Sequence, residues 1–118
     1  MQVKKDQLAT KKLQITQPNV FLTITIGNRQ IGGNQLQFDG NPNIFAKGDI
    51  SNLNLGSAAD LGGKTLTIIT NVLDANDSSQ GIVVTFSFHG TNAAPIQYTN
   101  TVDNNGDILS LTTKYSFL

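Results

Sequence analysis

One histidine, eight aspartates and no glutamate or cysteine set the range of chemistry open to this chain of 118 residues. His89 and Ser87 stand two apart in an alternating run, so a strand would put imidazole and hydroxyl side by side on one face. That offers a base next to a hydroxyl. An activated serine, however, sits on a sharp Gly-x-Ser-x-Gly turn, whereas Ser87 lies between Phe86 and Phe88 in mid-strand. Cysteine nucleophiles and thiolate metal sites are excluded, and only His89 has an ordinary pKa near neutrality. The reading is therefore non-enzymatic, with no catalytic residue assigned.

The aspartates offer a second chemistry, because hard cations take clustered oxygen ligands. Two groups stand out, Asp74-Ala75-Asn76-Asp77 and Asp103-Asn104-Asn105-Gly106-Asp107. The second opens like an EF-hand loop. Ile108 nevertheless occupies the position that needs glycine, and no bidentate glutamate follows. If both turns fall at one end of a sandwich, Asp74, Asn76, Asp77, Asp103 and Asp107, joined by Asp39 or Asp60, would form a calcium cup. Aspartate and asparagine are also what turns use in any protein. Calcium binding is accordingly the alternative reading, and the first expectation is no cofactor.

Other classes find less support. Gly62-Gly63-Lys64-Thr65 contains the Gly-Lys-Thr of a phosphate loop but precedes a strand instead of opening a helix. Carbohydrate platforms need exposed aromatics; there is no Trp, and core faces claim all but Phe21, Phe45 and Tyr98. The net charge is zero, which gives no global field to attract nucleic acid. Lys4, Lys5, Lys11 and Lys12 against Asp6 make residues 1–12 locally +3, with −3 over the remainder. Without interleaved aromatics such lysines read as a solvated leader.

Strands must position all of these residues. Abundant Thr, Asn, Gln and Gly, with aspartate as the only acid, withhold helix formers and supply strand and turn formers. The densest β-branched and aromatic stretch reads as two strands, Lys64–Asp74 and Gly81–His89. In the second, Ile82, Val84, Phe86 and Phe88 make a core face, backed by Val83, Thr85, Ser87 and His89. Pairing the two as a hairpin over Ala75–Gln80 turns Leu66 and Ile68 to the wrong side. A loop of odd length is the expected remedy; separate sheets are the other solution.

Upstream, Val20–Ile26 alternates and leaves Phe21 as the one large apolar residue on its polar side. A turn at Gly32-Gly33, with a bulge at Gly27, is expected to fold this strand back onto Leu36 and Phe38. Ile44–Ala46 and Ile50–Leu55 are weaker strands, and Gly56–Gly63 holds one helical turn capped by Ser57, with Asp60 three residues on. Ile96–Val102 and the last strand are expected to pair across a type I′ Asn105-Gly106 turn, with Val102 opposite Leu109.

The organisation expected is a flexible basic N-terminal arm over 1–10 and a single domain over 11–118. That domain is an all-β antiparallel sandwich of about eight strands, jelly-roll or C2-like, with at most one short helical turn. No apolar run nears the ~20 residues of a membrane helix, so the chain reads as soluble and without membrane insertion. Its opening residues carry leader-like charges with no apolar stretch behind them, which makes the cytoplasm the default. By elimination the function expected is a binding or assembly module with a protein partner or a homo-oligomer. Its interface residues would be Phe21, Phe45 and Lys114, the last as the sole charge guarding the final strand.

Overall fold

Alternation of apolar and polar residues is realised in ten strands: β1 (Val3–Gln7), β2 (Lys11–Leu13), β3 (Asn19–Ile26), β4 (Ile31–Phe38), β5 (Ala46–Gly48), β6 (Leu53–Ser57), β7 (Thr65–Leu73), β8 (Gly81–His89), β9 (Ile96–Thr101) and β10 (Ile108–Phe117). The only helix is the single turn α1 (Ala58–Leu61), where the Ser57 hydroxyl accepts from the Asp60 amide as its spacing predicts. The computed structural model describes all 118 residues.

The strands form two packed sheets. The larger has six strands, ordered β1-β10-β7-β4-β5, with β2 beside the far end of β10; the smaller is ordered β6-β3-β8-β9. The all-β sandwich follows. Pairing is antiparallel except where β1 and β2 lie parallel along β10. Between the sheets sits the core, with Leu22, Val84 and Phe86 from the smaller sheet against Leu36, Ile68, Leu111 and Phe117 from the larger. Phe88 packs 4.6 Å from Tyr115 and 6.0 Å from Phe117, ring centre to ring centre, so aromatic contacts cross the layer. The predicted core face of β8 is buried in full.

Connectivity departs from the sequence reading at all three expected hairpins. β3 and β4 lie in different sheets. Gly27 makes no bulge; a tight turn follows it, in which Asn28 and Arg29 take φ of 55° and 59° and the Gln30 amide donates to Gly27 O. β7 and β8 also sit in opposite layers, which removes their parity conflict, since strands facing each other across a core share no ladder. β9 and β10 separate in the same way. In the Asn105-Gly106 turn only Gly106 has positive φ, whereas type I′ needs both central residues there. The Gly106 amide bonds Asp74 O, and that steers β10 onto β7.

The expected arm is also different. Residues Val3–Gln7 form β1 along β10, in register from Val3 with Ile108 to Gln7 with Thr112. Its inward charges meet partners on β9: Lys4 Nζ donates to Asn100 Oδ1 and Thr101 O, each at 2.9 Å, and Tyr98 OH donates to Asp6 Oδ2 at 2.7 Å. Burial, and then this Asp6 contact, push the Tyr98 phenol up to about 12.

Candidate interaction surfaces

His89 and Ser87 do lie side by side on the outward face of β8, with His89 exposed at the strand end. Across from them on β3 stand Phe21 and Thr23. The neighbours are thus a phenyl ring and a hydroxyl, with no carboxylate to orient the imidazole as a base.

The acidic turns do come to one end of the sandwich, but their side chains diverge. Asp74 is 2% exposed and Asp107 4%, whereas Asp77 and Asp103 face solvent. Both Asp107 oxygens are used, Oδ1 by the Gln2 amide and Oδ2 by the Asn104 amide. The Gln2 bond first, with that of Asn104, holds the Asp107 carboxyl below its ordinary range. Asn76 Oδ1 accepts from the Ser78 amide and Nδ2 donates to Asn28 O. No group of three or more acidic or histidine side chains is assembled. Asp39 and Asp60 are elsewhere, Asp39 held by Thr67 Oγ1 and Asp60 in α1.

At the same end is a buried hub that sequence reading misses. Gln30 Oε1 accepts from the Ala75 and Asn76 amides, and Nε2 donates to Asp74 Oδ1 at 2.8 Å and to the carbonyls of Ser79 and Gly81. One glutamine thereby ties the β3–β4 connection to the β7–β8 loop, satisfying backbone groups that burial would otherwise strand. Its only sequence signal is a glutamine beside a glycine-rich turn, a pattern that surface turns share.

The three expected interface residues are on three separate surfaces. Phe21 is half-buried on the outward face of the smaller sheet, between Asn54 and His89. Phe45, 42% exposed, precedes β5 and packs edge-on to Phe38 at 5.1 Å. Lys114 does not guard an edge. β10 is interior to the larger sheet, and Lys114 Nζ pairs with Asp39 Oδ2 at 3.6 Å on its outward face.

A more extensive surface arises from register. On the outward face of the larger sheet Val3 pairs with Ile108, Ile108 with Leu73, and Leu73 with Ile31. Four neighbouring strands therefore line up one apolar side chain each, a row about 14 Å long at the usual strand spacing. Val3 is 51% exposed, Leu73 37% and Ile31 61%. The next row, Lys5, Ser110, Asn71 and Gly33, contains nothing apolar beyond glycine. Beyond Ile31 the row runs into a hollow of about 460 Å³ between β3 and β4, lined among others by Ile24, Ile26, Gln30 and Ile50. Compared with protein families, curated proteins and solved structures, the chain matches none.

Proposed function

We propose that the protein is a non-enzymatic binding or assembly module that works through protein–protein contact, with the outward face of the larger sheet as its contact surface. The observation that supports this is the row Val3, Ile108, Leu73 and Ile31, whose members come from four strands and meet only through register. Single exposed apolar residues are ordinary; an aligned apolar row that continues into a hollow lined by isoleucines together with polar groups such as Thr23, Asn34 and Asp49 is how contact sites are built. A folded variant with Ile31→Lys and Leu73→Asp, opposite charges on a cross-strand pair, should lose association with the proteins that the wild type cross-links in extracts of its source cells. Because both side chains are exposed, its melting temperature should stay near the wild-type value. Association that survives both changes overturns this surface, and biological function abolished by His89→Ala in a folded protein that still associates reopens catalysis.

Calcium binding is the second reading, favoured by one observation: Asp74 Oδ2 is buried without a hydrogen-bond partner. It expects calcium to raise the melting temperature and Asp74→Asn to remove the rise. Equal melting temperatures with calcium and with chelator end it.

A further inference from the structure

An open strand edge is a template for another chain, and proteins guard such edges with charge, bulges or brevity. β5 is three residues long with Lys47 at its centre. β6 meets β3 through a register shift and runs into α1, and β1 carries Lys4, Lys5 and Asp6. β9 differs. Ile96-Gln97-Tyr98-Thr99-Asn100-Thr101 is uncharged and stays in unbroken register with β8 over all six residues.

The Val102 amide donates to Gln80 O at 3.1 Å, and antiparallel ladders alternate. Ile96, Tyr98 and Asn100 thus direct their backbone groups at β8, while Gln97, Thr99 and Thr101 direct theirs outward. The edge of the other sheet lies behind this one. Lys4 bonds Asn100 and Asp6 bonds Tyr98, so Thr99 stands over Lys5.

We propose that β9 pairs antiparallel with β9 of a second copy of this chain, about a two-fold axis through Thr99. The operation sets Thr99 opposite itself, with its amide and carbonyl outward as a hydrogen-bonded pair on the axis requires. Gln97 falls opposite the second copy's Thr101, and Tyr98 opposite its Asn100. The Thr101 carbonyl, which accepts Lys4 Nζ, keeps a second lone pair for the incoming amide, and the Thr101 amide, bonded to Asn100 Oδ1 within one copy, exchanges that partner for the second copy's Gln97 carbonyl. Beneath the joined sheet the same axis carries Lys4 towards the second copy's Asp6, and Asp6 towards its Lys4. This charge complementarity favours a second copy over an unrelated peptide, and it favours this register. Centring on Tyr98 would set Asp6 against Asp6 beneath the sheet, whereas the axis through Thr99 sets only Lys5, exposed on the opposite face of its strand, against its copy. The contact uses an edge and not the apolar row, so it stands apart from the surface proposed above.

Sedimentation of the wild type over a concentration series should show a species of twice 12.6 kDa, and Thr99→Lys, at an exposed side chain, should halve that mass. The chain has no cysteine, so Thr99→Cys supplies a single thiol. Paired Cα atoms about 5.5 Å apart are within disulfide reach, so mild oxidation should give a covalent dimer of Thr99→Cys and not of Gln97→Cys. A wild type that stays monomeric at every concentration overturns the proposal, as does a Thr99→Lys dimer or faster cross-linking at position 97. Should Thr99→Lys fail to fold, the cross-linking contrast decides. A dimer broken by Ile31→Asp and spared by Thr99→Lys assigns self-association to the apolar row instead.

Discussion

The two sheets turn different faces to solvent. On the smaller, β3 and β8 present Thr23, Thr25, Thr85 and Ser87 in cross-strand pairs, and the two apolar residues there, Phe21 and Val83, are half-buried against their neighbours. On the larger, Val3, Leu73 and Ile31 project into water at one end, while the rest is Thr67, Thr112 and Lys114 around a half-buried Ile69. The inward faces are alike, because burying apolar area drives folding in both layers. Folding makes no such demand outward. The threonine-rich face is what solvent alone asks of a strand, and the apolar row is an addition that packing within this chain does not explain.

The contrast is sharpest if both outward faces rest on a single core. Phe86 is fully buried on β8 and faces the larger sheet, 5.8 Å from Tyr115. Phe86→Ala should cost about 3 to 5 kcal/mol through lost burial and a residual cavity. Urea unfolding followed by probes on each sheet should shift as one transition; two midpoints would show that the layers are independent. A smaller effect separates the two sides of β4. A Cβ on Gly32 points inward against the Asn71 carbonyl and 2.7 Å from Ile26 Cδ1, whereas one on Gly33 points outward and meets nothing. Gly32→Ala should cost about 1 to 3 kcal/mol by overpacking, and Gly33→Ala should change stability by less than about 1 kcal/mol. Equal costs in denaturant would mean that the assignment of inward and outward on this sheet is wrong.

The smallest effect concerns the end of the row. Asp107 anchors Gln2, whose carbonyl accepts from the Ile108 amide, and so fixes Val3 beside Ile108. Its carboxyl is held below the ordinary range, so its charge stabilises the fold above the unfolded carboxylate pKa of about 3.9, and that contribution is lost as pH falls. Asp107→Asn should accordingly lower the melting temperature at neutral pH, and the difference from wild type should shrink on acidification, with faster hydrogen exchange at Ile108. A difference that is constant with pH would mean that the anchor does not depend on charge.

Much of this fold was legible from period alone. Ile82, Val84, Phe86 and Phe88 had to share a face, and so did Leu109, Leu111, Tyr115 and Phe117. The Ser57 cap was legible too, since its hydroxyl and the Asp60 amide are three residues apart. The apolar row was not. Val3, Ile31, Leu73 and Ile108 are scattered over more than a hundred positions, and each alone looks like an ordinary exposed residue. Gln30 was hidden for a related reason: its partners at Asp74 to Gly81 are brought near only by the packing of two loops.

What the sequence by itself determined is which residues point together along each strand and where the chain turns, because both follow from the two-residue pleat and from local glycine, asparagine and proline conformations. Which strand lies beside which was decided only in three dimensions. The turn at Asn28-Arg29 and the one at Asn105-Gly106 each reverse the chain, yet each joins different sheets, and a reversal is compatible with a hairpin or with a step across the core. The choice falls to long-range ladders such as β10 on β7 and β3 on β8, whose partners lie far apart in the chain and whose energy comes from burying both inward faces at once. Register between those distant strands then decided what no local pattern carries: which apolar residues stand in line on the outside.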